Sequence, residues 1–194
     1  ASDVKKIHTS ADKIASRFEK IEQVDLKKET DHILNVFNAL LRISRIESEQ
    51  QKSQFQNVNF KAILADAIEF YEPLAQDKDI NIQMDLNDKT ILGDRDLLFQ
   101  AYANILDNAV KFTPNGGAIN ISLSDEKTTI SNTGSSVNDV DINRLFNRFY
   151  RTEESRNTAG SGLGLSLVKV VIELHNGQVE IESNQAGFSI VTIL

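Results

Sequence analysis

Cysteine is absent from this sequence of 194 residues. Without a thiol there is no disulfide, no zinc-thiolate centre and no cysteine nucleophile, a composition compatible with the cytosol. Also missing is any apolar run of about 20 residues, the length that a membrane-crossing helix needs. The N-terminus shows no signal-peptide pattern, so a membrane-embedded sensor, if the protein has one, is expected outside this chain. Positive charge is scarce: 21 Lys and Arg stand against 28 Asp and Glu, a net charge of −7. Broad nucleic-acid binding relies on clustered basic residues that neutralise phosphates, so no nucleic-acid partner is expected. The rest is ordinary for a soluble globular protein, with 40% hydrophobic and 25% charged residues, enough chain for one or two domains.

What the sequence does have is a stretch around Asn104-Ile105-Leu106-Asp107-Asn108-Ala109-Val110-Lys111-Phe112. Leu98, Tyr102, Ile105, Ala109 and Phe112 recur at helical spacing and predict one buried stripe. Asn104, Asn108 and Lys111 recur at the same spacing and form a second stripe beside the first. Two amides and an ammonium at the edge of a core-facing surface are unusually polar. A buried amide left unpaired costs roughly 1–3 kcal/mol; a ligand rich in acceptors would satisfy these, and so would water or backbone. Further on, Gly160-Ser161-Gly162-Leu163-Gly164-Leu165 places three alternate glycines before an apolar run, Leu163 to Leu174, that reads as a helix. Glycine lets backbone approach phosphate closely, and the N–H groups of a helix start favour anions. Alone, such a loop is a weak signal; paired with the Asn/Asn/Lys helix it is much stronger.

These segments resemble known motifs. Asn104 to Pro114 is similar to the N box of sensor histidine kinases, and Gly160 to Leu165 to their second glycine box. Between them, Leu145-Phe146-Asn147-Arg148-Phe149-Tyr150-Arg151 resembles their phenylalanine box. The resemblance extends from about Leu40 to the C-terminus. It implies the Bergerat-type (GHKL) ATP-binding fold shared by gyrase, the Hsp90 chaperone and the mismatch-repair ATPases. The phenylalanine box and a preceding helical hairpin favour the kinase branch. An ATPase of the gyrase or chaperone branch would need a catalytic glutamate early in the N-box helix, and Leu97 to Asn104 contains none.

The implied organisation is α+β: an N-terminal antiparallel helical hairpin over 1–55, then a catalytic ATP-binding domain over 56–194. In the first part Val4, Ile7, Ala11, Ile14, Phe18 and Ile21 make a heptad seam. After a break at Gln23-Val24-Asp25, the residues Leu26, Ile33, Val36, Leu40 and Ile43 make another. One hairpin buries little, so pairing with a second copy into a four-helix bundle is expected, a homodimer; packing only on its own catalytic domain is the alternative. Leu40 to Glu47 resembles the end of the second helix of histidine-kinase dimerisation domains. Their phosphoacceptor motif, His followed by an acid and later by proline, is missing here. His8, on the rim beside Ile7, is the candidate phosphoacceptor, with a plain surface histidine as the other reading; His32 is a weaker candidate. Gln50 to Gln56 is polar and reads as a linker.

In the second part a helix is expected from Phe60 to Tyr71, interrupted after it by Pro73. Ile80 to Leu86 and Thr90 to Leu92 read as strands, and Asp94 as the cap of the N-box helix. Ala118 to Leu123 and Thr128 to Ser131 form a hairpin around Asp125-Glu126. Gln178 to Glu182 and Phe188 to Leu194 form another. The elements suit a two-layer α/β sandwich with a mostly antiparallel sheet.

The site roles follow from the resemblance. ATP and Mg²⁺ are the implied ligands, and an acidic chain accommodates them because the ion and a few local cations carry the phosphate charge. Asn104 and Asn108 match the N-box amides, with Asn108 as the Mg²⁺ ligand and Lys111 on a phosphate. Asn132 stands where the first glycine box has the Asp that accepts the adenine amino hydrogen; its amide oxygen accepts the same bond without charge. Gly134 matches a glycine of that box, and Ser136 replaces another. Arg148 and Arg151 are γ-phosphate candidates, Arg151 the better. Gly160, Gly162, Leu163, Gly164 and Leu165 are the second glycine box. Thr152 to Ala159 reads as a lid. His175 reads as structural. The resemblance implies phosphoryl transfer to a histidine and then to an aspartate of a response-regulator receiver domain, in the cytoplasmic part of a membrane sensor. The alternative is a degenerate or engineered core that lacks a working acceptor and serves as a nucleotide-binding or regulator-docking module.

Overall fold

The computed structural model describes residues 55–194 except 135, 136, 154, 156, 157, 159, 185 and 186, and, before them, Thr30, Leu34, Phe37, Leu40, Leu41, Ile43 and Ile46. The chain divides into two compact units, residues 1–40 and 41–194. Most of the predicted hairpin, including His8 and His32, lies outside the described residues, as does Ser136. The positions described between 30 and 46 are helical. Leu34, Phe37 and Leu41 are exposed along one strip, one residue on from the predicted seam positions Ile33, Val36 and Leu40.

The second unit is built on a five-stranded sheet of order β2-β4-β5-β7-β6. Its strands are β2 (Asn81–Leu86), β4 (Ala118–Leu123), β5 (Thr128–Asn132), β6 (Gln178–Asn184) and β7 (Gly187–Ile193). Two further strands, β1 (Gln56–Asn59) and β3 (Thr90–Gly93), pair antiparallel as a separate ribbon. The start of β1 therefore falls where a linker was expected. The main sheet is antiparallel except for β2 and β4, which run parallel with Ile82 opposite Ile119. A parallel pair cannot be closed by a tight turn; here the crossover contains the helix α2 (Arg95–Phe112). That connection lays α2, the helix of the two polar amides, across the sheet.

Three helices share the work of covering it: α1 (Phe60–Gln76), α2 and α4 (Gly164–Leu174), with a short α3 (Asp139–Ile142) between. α2 packs against both α1 and α4 and against β5. In β4, Ile119, Ile121 and Leu123 are buried while Asn120 and Ser122 between them are exposed, the period-two signature of a sheet with one dry face. Tyr102 is fully buried at the centre, edge-on to Phe60. Its hydroxyl shares a 2.5 Å hydrogen bond with Thr192 Oγ1, and burial pushes its pKa up to about 12.

One local expectation is corrected. Pro73 does not end the first helix, which continues to Gln76. Glu69, whose carbonyl loses its intrahelical donor, and Glu72, Pro73 and Leu74 are all exposed. The turn that lacks this N–H therefore lies at the surface, and the apolar face through Ala75 holds the last turn in place.

Candidate nucleotide-binding site

The site begins with α2. Asp94 caps it as expected, its Oδ1 accepting from the N–H groups of Asp96 at 2.9 Å and Leu97 at 3.1 Å. Leu98, Tyr102, Ile105 and Ala109 are buried, which fixes the rotation of the helix about its axis. That rotation leaves Asn104, Asn108 and Lys111 half-buried on the flank, where they line a cavity of about 330 Å³. Phe112, expected in the buried stripe, is half-exposed and lines the same cavity.

The three polar residues differ in what holds them. The Asn104 amide donates to the carbonyl of Gln100 at 2.8 Å. Its Oδ1 lies 3.1 Å from where a Cβ on Gly164 would sit, so Asn104 is wedged between its own helix and the first residue of α4. The Asn108 amide has no hydrogen-bond partner among the described residues and faces the cavity. Burial pulls the Lys111 ammonium below the usual lysine range; the Asp107 carboxylate, one turn earlier, opposes the shift, and the Arg151 guanidinium reinforces it.

Across the cavity lies the glycine loop. A Cβ on Gly160 would come within 2.8 Å of Lys111 Nζ, and its φ of +154° disfavours any side chain. The backbone thus passes directly over the ammonium. The carbonyl of Gly162 accepts from Phe149 N–H at 3.0 Å, joining the glycine loop to the phenylalanine-box segment. Phe149 itself is exposed and left-handed, with φ of 64°, an uncommon state for a bulky side chain.

Arg151 lines the cavity, but its guanidinium is turned onto the loop. It donates to the carbonyls of Gly160 at 2.9 Å, Ser155 and Thr158. Asn132 is buried at the end of β5, and its amide nitrogen donates to the Thr133 carbonyl at 3.1 Å. Its oxygen is therefore the group left to accept. Gly134 and Leu163 lie outside the cavity wall, as does Arg148. Gly134 instead packs where a Cβ would come 2.8 Å from the Phe112 carbonyl, and Leu163 is buried as the residue before α4. The remaining predicted residues, Gly160, Gly162, Gly164 and Leu165, do line the cavity.

Several wall residues were given no role in the sequence reading: Asp107, Val137, Leu145, Tyr150 and Phe188. Asp107 was legible as the acid just before Asn108, on the solvent side of the polar stripe. Phe188 was not, because only the β5–β7 register sets it opposite Asn132. His175 braces the start of the site. Its Nε2 accepts from the Asp94 N–H at 3.0 Å and its Nδ1 donates to the Val171 carbonyl at 2.7 Å. It also stacks on Phe55, centroids 4.5 Å apart. Burial pulls its pKa down, against the Val171 bond and the Asp94 charge, consistent with a neutral ring that both donates and accepts.

Among the described residues no group of three or more His, Asp or Glu could hold a metal ion alone. The unengaged Asn108 amide fits an ion that brings most of its ligands from phosphate and water, and the Gly160 cradle over Lys111 fits a phosphate chain.

Residues 93–194 match the family described as Histidine kinase-, DNA gyrase B-, and HSP90-like ATPase. The heme sensor protein HssS of Staphylococcus aureus (strain Newman) is 32% identical over 173 residues, 87% of this chain and 37% of HssS. The chain thus spans little more than a third of the curated relatives it matches. Among solved structures, a mycobacterial sensor histidine kinase, MprB, superposes with a TM-score of 0.63 at 24% identity, covering 72% of this chain and 96% of that one. Full-length ShkA in complex with AMPPNP superposes with a TM-score of 0.69 at 25% identity, covering 87% and 37% respectively.

Proposed function

This chain belongs to the family of histidine kinase-, DNA gyrase B- and HSP90-like ATPases and carries a catalytic domain of the sensor histidine kinase type, and from that premise we propose that it is the kinase core of a two-component sensor. It binds Mg-ATP in the cavity beside α2, transfers the γ-phosphoryl group to a histidine, and passes it to an aspartate of a response-regulator receiver domain. The observation that supports this most is the ridge of Asn104, Asn108 and Lys111 facing the Gly160 backbone across that cavity.

The chain's residues have separable roles. Lys111 neutralises phosphate charge, and the loop backbone at Gly160 and Gly162 follows the phosphate chain. The Asn132 oxygen accepts from the adenine amino group, with Phe188 and Leu145 offering apolar surface to the base. Asn104, also in the cavity wall, braces the start of α4 at Gly164. A Mg²⁺ ion held through the Asn108 oxygen would neutralise the charge shared between the β- and γ-phosphates. The acceptor imidazole must be neutral, as an unperturbed histidine is at pH 7. Its nitrogen lone pair forms the N–P bond, the bond from phosphorus to the β-phosphate oxygen breaks with its electron pair leaving on ADP, and the ring N–H proton goes to solvent. His8 is the candidate acceptor. The exposed strip of Leu34, Phe37 and Leu41 supports a homodimer through the hairpin. Cytoplasmic location and a membrane segment elsewhere in the protein belong to the same reading.

Incubation with γ-labelled ATP, followed by mass spectrometry at a pH that preserves phosphohistidine, tests this. An acid-labile, base-stable label on a histidine is expected. Asn132 in place of an acid favours one second reading, a nucleotide-binding or docking module without transfer. ATP binding with no label would select it, and no binding at all would end both.

A further inference from the structure

The C-terminal end of α2 is finished without a glycine cap. Thr113 follows the helix in an extended conformation, φ −75° and ψ 130°, as the proline after it requires. No glycine folds the chain back to cover the last carbonyls, which four positions of every helix leave without a partner. Thr113 covers one of them: its N–H at 3.0 Å and its hydroxyl at 2.6 Å both donate to Ala109.

Two of the others, and the carbonyl of Thr113 beyond them, are taken by a residue from a different part of the chain. The ammonium of Lys78, in the turn between α1 and β2, donates to the carbonyls of Val110 at 2.8 Å, Lys111 at 3.3 Å and Thr113 at 2.6 Å. The same turn is stitched to the segment that follows α2. Gly116 N–H donates to the Lys78 carbonyl at 2.9 Å, and Asn81 N–H to the Gly117 carbonyl at 2.9 Å. The end of α2 is thus clamped by Lys78, with Gly134 against the Phe112 carbonyl.

Electrostatics gives this clamp a second consequence. A helix carries about half a negative charge at its C-terminus. Lys111 sits in the last turn of α2, so any phosphate it holds approaches the wrong pole of that dipole. An ammonium placed directly on the last carbonyls offsets the pole. Lys78 does not line the cavity and so cannot act as a ligand contact.

We infer that Lys78 is a positioning residue of the nucleotide site, fixing the last turn of α2 and cancelling its negative end so that Lys111 can hold phosphate. The inference rests on the proposed nucleotide site for its functional half and on geometry alone for its structural half. Lys78→Met, Lys78→Gln and Lys78→Arg test both halves in the full chain. In the nucleotide-free protein, hydrogen exchange at the amides of residues 112–117 is expected to rise about tenfold in Lys78→Met, the scale of a partly buried charge at a helix end, and to return towards the wild-type rate in Lys78→Arg. With nucleotide, Lys78→Met is expected to weaken ATP and ADP by about tenfold and adenosine far less, with Lys78→Gln, which has a donor but no charge, close to Lys78→Met.

Unchanged exchange in Lys78→Met would overturn the inference whether or not nucleotide binds. An equal loss for adenosine and ATP, or full recovery by Lys78→Gln, would overturn the electrostatic half. Should Lys78→Met fail to fold, Lys78→Gln and Lys78→Arg still separate charge from hydrogen bonding. Failure of the wild-type chain to bind ATP would instead count against the proposed function.

Discussion

The two walls of the cavity are built on opposite principles. One is a helix of 18 residues, anchored by an apolar stripe, capped at its start by Asp94 and clamped at its end by Lys78. The other is a loop whose shape depends on positive-φ residues, Phe149, Gly160 and Gly162, and on one arginine side chain bonded to backbone carbonyls. The fixed wall carries the side chains that confer chemical identity: an open amide and an ammonium. The loop offers mostly backbone, at Gly160, Ser161 and Gly162.

The contrast is sharpest at Lys111, whose loss should have the largest effect. Lys111→Met is expected to weaken ATP about 100-fold, the scale of a lost charge-assisted hydrogen bond in a partly buried site, measured by titration calorimetry. The empty protein should not lose thermal stability. The Lys111 pKa is lowered in the folded state, so the unfolded chain holds this proton more tightly and stability rises with pH through the window below the usual lysine value. At neutral pH the half-buried ammonium therefore favours folding less than a fully solvated one would, and removing it is not expected to lower stability. A large fall in melting temperature would show that the fixed wall is not fixed independently of Lys111.

A smaller effect is expected from the loop. Gly160→Ala puts a methyl group against Lys111 Nζ, the movable end of a flexible chain, at a backbone φ of +154° that disfavours a side chain, so affinity should fall by about tenfold and stability by about 1 kcal/mol. A loss as large as that of Lys111→Met would mean that the loop, not the helix, sets the phosphate position.

The smallest effect concerns pH. The folded-state pKa of His175 is lowered by burial, so its neutral form favours folding above the unfolded value of about 6.5. That contribution is lost progressively as pH falls from there through the folded pKa. Thermal unfolding followed from pH 7.5 down to 5 should show a modest decline, and His175→Gln should flatten it. Because Asp94 N–H donates to this ring, hydrogen exchange at the start of α2 should rise over the same range; a rise only in the loop would break the comparison.

Much of this could be seen without coordinates because helices and strands carry their periodicity in local order. The stripe from Leu98 to Ala109 fixed which flank Asn104, Asn108 and Lys111 would occupy, and the Asp94 cap was visible as an acid before an apolar run. The expectation failed at Pro73, where exposure of the surrounding turn decided that a proline could be tolerated. It was also incomplete for Arg151, read as a phosphate partner but found on the carbonyls of Gly160, Ser155 and Thr158. Arginine at that position has the right charge for either task, and only the loop's path chooses between them.

By itself, then, the order of residues determined the polar ridge, the glycine loop and the exclusion of thiol chemistry, since each depends on neighbours within a few turns or on composition alone. The tertiary structure decided what lies far apart in sequence: Lys78 on the carbonyls of α2, Phe188 opposite Asn132, and His175 beneath Asp94. Those contacts join segments more than 30 residues apart, and no local rule of spacing or propensity can encode which side chain will arrive at a given carbonyl once the sheet has closed.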